Sequence, residues 1–198
     1  MRPSRDAKLQ VSENSQVQVI ARAACILHTH MPFATAITLI EGGRLEPCSQ
    51  TALKFYGRIG YDDVYNGLVL DEAEGDRIVG ALADADVLFL ANHGVIVCAE
   101  RVAWAFDDLY YLERACMAQV LAASMGGRMR KVREDVARAT VAEMISPEQR
   151  VQSELHFAAL KRELDRIDPL WSSLDQPNAG VFKPNHTKLP PLARLAWA

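Results

Sequence analysis

Short apolar runs of strand length alternate along this chain with longer segments of helical period, and that alternation predicts an α/β domain. Two further observations support the class. The chain has 198 residues, 49% of them apolar and 24% charged, which is a length near one domain and a composition close to the soluble average. Cap and turn residues also punctuate the runs where elements should start and stop.

Residues 1–19 are polar without a clear period, and VSENSQVQVI can form one short strand at its end. Ala23 to Leu27 is a short apolar run ending in His-Thr-His and reads as a buried strand. Pro32 stands at a first helical position, with Phe33, Ala34, Ala36, Ile37 and Ile40 behind it, and Glu41-Gly42-Gly43 stops that helix. Leu45 to Ser49 reads as extended, and Gln50 to Gly57 as a second short helix closed by glycine. Ile59 to Val69 reads as a strand region broken by the turn pair Asn66-Gly67. Asp71 suits the N-cap of the next helix, where Glu72, Glu74 and Asp76 face the positive end of the helix dipole. Ile78, Val79, Leu82 and Ala83 form that helix's apolar face. Val87 to Leu90 is a buried strand, Asn92-His93-Gly94 interrupts it, and Val95 to Cys98 continues extended.

The longest helix spans about 100–125, with Val102, Phe106, Leu109, Tyr110, Cys116, Met117, Val120 and Leu121 at helical spacing and Gly126-Gly127 as its stop. A basic connector (Arg128, Arg130, Lys131, Arg133) leads into a mixed-charge helix near 132–145. Ser146-Pro147-Glu148 restarts a helix that runs to about Asp168. Residues 169–198 hold Pro169, Pro177, Pro184, Pro190 and Pro191, a density that forbids long regular structure and predicts an arm or disordered tail. The expected organisation is therefore a domain over 1–127, a helical extension over 128–168 and a proline-rich arm over 169–198.

Charge and composition exclude several functions. The net charge is −3, with 10 basic and 16 acidic residues in 1–125 and 12 basic and 9 acidic in 126–198. The basic residues of the second part are interleaved with acidic ones, so no nucleic-acid partner is expected. No run approaches the roughly 18–20 apolar residues that span a bilayer, so no membrane insertion is expected. MRPSRDAKLQ lacks the apolar region of a secretory signal. Cys25, Cys48, Cys98 and Cys116 lie in apolar or mixed runs without CxxC spacing and read as reduced, buried thiols in a cytoplasmic protein.

Chemistry concentrates in three of the five histidines. His28 and His30 lie two apart at a strand end, so their imidazoles project to the same side. His93 sits at a strand break before Gly94, where the backbone can turn sharply. Three neutral imidazoles are a recurrent ligand set for a catalytic divalent metal with an open position for substrate oxygens. Histidines that merely cap or pack are the alternative. His156, on a charged helix, and His186, in the proline-rich segment, read as surface residues. Glu113 falls on the apolar stripe of the long helix, where a structural hydrogen bond to a neighbouring element is expected in preference to catalysis. Tyr110 and Tyr111 read as core or subunit interface.

The strings CILHTHMPFATAI, SQTALKFYGRIGYDD, FLANHGVIV and AWAFDDLYYLERACMAQV, in unbroken order over residues 20–125, resemble the class II aldolase/adducin family. The resemblance implies a three-layer α/β/α domain around a mixed central sheet. It implies that His28, His30 and His93 bind zinc or a related divalent ion. Such an ion can chelate the carbonyl and adjacent hydroxyl of a ketose and stabilise the enediolate formed as a carbon–carbon bond breaks. The expected function is an aldolase-like lyase or isomerase of a small sugar phosphate or hydroxycarbonyl compound, in a homo-oligomer, a tetramer by resemblance. The family's substrate-phosphate loops and its acid/base glutamate precede the His-x-His strand. The residues ahead of His28 match none of those motifs, and Glu13 is not in a matching context, so the catalytic acid/base stays unassigned. The domain is accordingly expected to be shortened at its N-terminus. A non-catalytic, adducin-like structural or interaction protein is the alternative, and a shortened protomer is expected to aggregate through uncovered sheet edge. Glu100 stands where that family favours a good helix cap, which predicts a weaker start for the long helix.

Overall fold

The computed structural model describes residues 23–68 and 72–171. The short strand expected before residue 20, the Asp71 cap, Glu13, His186 and most of the proline-rich segment lie outside them. Among the described residues ten elements follow in chain order: β1 (Cys25–Thr29), α1 (Pro32–Thr38), α2 (Gln50–Leu53), β2 (Ile59–Asp62), α3 (Glu72–Leu82), β3 (Val87–Leu90), β4 (Gly94–Ala99), α4 (Val102–Ser124), α5 (Glu134–Met144) and α6 (Pro147–Ile167).

The strands form one mixed sheet in the order β1-β4-β3-β2. β4 runs antiparallel to both neighbours, and β2 is parallel to β3. Side chains alternate across strands, and here the alternation sorts two cores. Val87, Phe89, Val95 and Val97 face one side, where they meet Ala34 and Ile37 of α1, Ala52 of α2, Phe55, and Leu112 and Cys116 of α4. Leu88, Leu90, Ile96 and Cys98 face the other, where they meet Ile78 and Leu82 of α3 together with Ala23. Helices on both faces of a mixed sheet make the three-layer α/β/α architecture that the family resemblance implies.

Several elements differ from expectation for identifiable reasons. β1 is an outer strand among the described residues, alternating half-buried and exposed, where a buried strand was expected. Among the described residues only β4 pairs with it, and every second side chain, Ile26 included at 50% exposure, reaches solvent. The expected strand 59–69 stops at Asp62, because pairing with β3 ends at Leu90. The segment after Leu90 does not continue the strand but reverses it. Asn92 takes a left-handed φ of 56°, and β4 returns antiparallel to β3. Leu45 to Ser49 forms no strand, and α2 is a single turn, followed by Gly57 at a φ of 72°.

Helix ends follow the sequence more closely. Ser146 caps α6 by accepting from the Gln149 N–H at 3.4 Å, with Pro147 in the first turn. The N-cap of α4 is Arg101, with no side-chain cap, one residue after Glu100, where the weak start was expected. The buried face of α4 is Ala103, Ala105, Asp107, Asp108, Leu112, Ala115 and Cys116. Val102 and Leu121, placed on the apolar stripe by periodicity, are each 54% exposed. The four cysteines are free thiols, two buried and two half-buried. Among the described residues no helix is long and apolar enough to cross a membrane.

Candidate metal centre

The antiparallel register of β1 with β4 pairs Thr29 with Val95. It thereby sets the end of β1 beside the β3–β4 turn, which carries His93. His28 and His30 share one face of that end. The three imidazoles converge, with ring centroids 4.9 Å apart for His28–His30, 4.8 Å for His28–His93 and 4.7 Å for His30–His93. One ring nitrogen from each lies within 4.8 Å of the others; His28 and His30 are exposed and His93 is half-buried.

Backbone groups fix this arrangement. The His28 Nδ1–H donates to the Val95 carbonyl at 3.0 Å. That bond assigns the tautomer and leaves the Nε2 lone pair directed at His30 Nε2, 3.1 Å away. Gly94 permits the close approach: a Cβ there would lie 2.4 Å from the Thr29 carbonyl oxygen and 2.8 Å from His30 Cδ2. Although the residue as a whole is exposed, desolvation of its ring by the neighbouring groups lowers the pKa of His28. The Val95 bond opposes that shift, and charge on His93 or His30 adds to it. Partial burial and His30 likewise lower the pKa of His93. Both effects favour the neutral imidazole that a metal requires. Three neutral nitrogens from rigid elements, one already oriented from behind, fit a borderline divalent cation with an open position. Among the described residues no carboxylate belongs to the cluster. Tyr65 stands beside it, its ring 6.3 Å from that of His93 and half its surface exposed.

Glu113 makes the structural bond expected of it. Its carboxylate accepts the Phe33 N–H at 3.0 Å and the Ala34 N–H at 2.9 Å, at the start of α1. His156 departs from the surface role expected for it: its Nδ1–H donates to Asp107 Oδ1 at 2.8 Å. It belongs to a buried ionic cluster that the sequence reading missed. Asp107 also accepts from Lys54 at 2.6 Å and Ser153 at 2.9 Å. Asp108 binds Lys54 at 2.9 Å, Arg58 at 3.0 Å and Arg150 at 3.0 Å. The Asp-Asp pair on an apolar helix face was its only sequence signal. A cavity of about 570 Å³ opens beside this cluster, lined by Gln50, Lys54, Asp107, Tyr111, Gln152 and His156 among others. None of the three converging histidines lines it.

Fold and site together define a three-layer α/β/α domain with a three-histidine cluster at one end of a mixed sheet. Residues 17–120 match the Class II Aldolase and Adducin N-terminal domain, and the chain belongs to that family. A Pseudomonas aeruginosa protein, provisionally named as a class 2 aldolase, is 31% identical over 148 residues, which is 73% of this chain and 56% of that protein. Human beta-adducin is 36% identical over 104 residues, covering 52% of this chain and 14% of its own length. The crystal structure of an aldolase II superfamily protein from Pseudomonas syringae superposes with a TM-score of 0.66 at 30% identity, covering 77% of this chain and 60% of that one. An L-fuculose 1-phosphate aldolase from Glaciozyma antarctica shares the fold, with a TM-score of 0.60 at 22% identity, over 71% of this chain and 53% of that one. The chain spans 56% and 55% of the length of the first two curated relatives that it matches.

Proposed function

We propose that this chain carries the metal-binding part of an aldolase-like lyase or isomerase acting on a small sugar phosphate or hydroxycarbonyl compound. The convergence of His28, His30 and His93 carries the reading. These residues would hold a divalent cation, and zinc is the ion that three imidazoles suit well. A cation bound there supplies a Lewis acid for a carbonyl and its neighbouring hydroxyl.

The chain's own residues prepare that position. The Val95 carbonyl holds the His28 ring in one tautomer, so its Nε2 lone pair stays available. Desolvation lowers the pKa of His28 and of His93, which favours the neutral imidazoles that a cation needs. The half-exposed Tyr65 ring offers an apolar wall on the His93 side. The proton-transfer residue is left unassigned. A cytoplasmic homo-oligomer, a tetramer by family likeness, is the proposed setting.

Metal analysis of untagged protein tests the reading. About one equivalent of a divalent ion is expected, lost on substitution of any of the three histidines. Less than about a tenth of an equivalent, even after reconstitution, would defeat the proposal. The likeness to beta-adducin favours a second reading, a non-catalytic interaction domain. A metal-loaded protein that turns over no sugar phosphate or hydroxyaldehyde, yet assembles identically in the His28→Ala variant, would favour the second.

A further inference from the structure

The short helix α1 links the two halves of the histidine cluster. It begins two residues after His30 and ends at Thr38. Its N-cap position, Met31, has no side-chain cap, so the helix does not satisfy its own first amides. Glu113 of α4 does so from outside, accepting from Phe33 at 3.0 Å and Ala34 at 2.9 Å. At the other end, the Thr38 carbonyl accepts the Asn92 N–H at 3.0 Å. Asn92 immediately precedes His93 and holds the left-handed φ of 56° that turns β3 into β4. Hydrogen bonds and one rigid helix therefore run from Glu113 to both His30 and His93. The middle of that path is packed, with Ala34 fully buried and Ile37 2% exposed against Phe89, Val95 and Leu112.

We propose that Glu113 is a positioning residue for the histidine cluster, acting through α1 as a strut that sets the spacing of His30 and His93. The inference rests on the reading of the three histidines as a metal site. Glu113 touches none of them in the structure. A carboxylate suits the task, because it can accept two adjacent amides at once and favours the positive end of a helix. A strut docked by one such contact can shift as a unit when that contact is lost. Ligand angles would then change while each ring remains present.

Glu113→Ala and Glu113→Gln, with His28→Ala as the reference, test this. Zinc affinity is read by competition with a chromophoric chelator. Ligand geometry is read from the visible spectrum of the cobalt(II)-loaded protein at saturation. Glu113→Ala is expected to weaken zinc about 10- to 100-fold, the range for residues that orient metal ligands. It should also alter the cobalt spectrum of the saturated, folded protein. A loss of stability alone would not move that spectrum. Glu113→Gln keeps one acceptor oxygen and should fall between the two, and it decides the matter if Glu113→Ala does not fold. In the metal-free variants, amide exchange at Asn92 should quicken along with that at Phe33 and Ala34. Wild-type affinity, cobalt spectrum and Asn92 protection in both Glu113 variants, with binding abolished in His28→Ala, would overturn the strut while leaving the metal site standing. Undiminished binding in His28→Ala would remove the metal site, and the strut's role with it.

Discussion

A Cβ added at Gly94 would meet the backbone carbonyl of Thr29 at 2.4 Å and the His30 ring at 2.8 Å. The ring can rotate but the carbonyl cannot, since Thr29 is fixed by pairing with Val95. Gly94→Ala must therefore push β1 away from β4. The expected cost is about 1–3 kcal/mol, as for other insertions into close-packed positions. Zinc affinity should fall as well, because the displaced strand carries His28 and leads directly into His30. Urea unfolding and zinc titration check both, and a variant that keeps wild-type stability and affinity would contradict the contact. Asn92 is different in kind. Its left-handed conformation is one that asparagine tolerates and β-branched residues do not. Asn92→Gly should be nearly neutral, while Asn92→Val should lose about 1–3 kcal/mol. Equal midpoints for the two variants would show that the turn relaxes without strain. At this scale the sequence was legible wherever one residue's chemistry sufficed. His28 and His30 share a side because strands have a period of two, and Glu113 was placed correctly because a carboxylate on an apolar stripe must find a donor. His156 was illegible. Its partner Asp107 lies on another helix, and no local pattern joins the two.

Helix α6 docks on α4 through charge as well as apolar contact. Arg150, Ser153 and His156 of α6 all reach Asp107 or Asp108 of α4, and Lys54 and Arg58 reach the same pair from the segment after α2. Asp108 is fully buried. Asp108→Ala strips three cations of a shared partner and should destabilise the protein by about 3–5 kcal/mol, the usual result of breaking a buried pair from one side. The acid response follows from the same contacts. Burial raises the pKa of each aspartate, but Lys54, Arg58, Arg150 and the hydrogen bonds outweigh it, and both fall below their ordinary 3.8. For a carboxylate lowered in the folded state, the unfolded chain takes up protons first as the pH drops. The stabilisation is therefore complete above the ordinary value and is lost as the pH falls through the folded ones. Unfolding midpoints followed from about pH 6 to pH 3 should drop more steeply in the wild type than in Asp108→Asn. Parallel profiles would show that Asp108 is not a source of the acid sensitivity. The C-terminus of α4 was legible from its glycine breaker, and the boundary between α5 and α6 from Ser146-Pro147. The face of α4 was misread, because hydrophobic periodicity assigns aspartates to solvent and cannot see cations arriving from elsewhere in the chain.

Across the whole molecule, the alternation of short apolar runs with helical segments was enough to read an α/β domain, while the two helix layers on a mixed sheet came from the family resemblance. Strand order was not legible. The runs 87–90 and 95–98 read as one interrupted strand, and only the reversal at Asn92 makes them antiparallel neighbours with β1 laid outside. That reversal creates the site, since it returns His93 to the end of the strand bearing His28 and His30. A cation held by all three would tie β1 to the β3–β4 turn, joining the outer strand to the centre of the sheet. The tie exists only in the folded chain, so binding must raise global stability by mass action. With free zinc about a hundredfold above its dissociation constant, the gain is about 2.7 kcal/mol. For a chain of this length that corresponds to a rise in Tm of about 5–11 °C. Melting followed by circular dichroism, with zinc and with a chelator, should show the difference in the wild type. The two curves should coincide in His93→Ala, which removes the ligand from the turn while leaving β1 its pair. A wild type that melts identically with and without zinc would mean that the three rings meet without binding a metal between them.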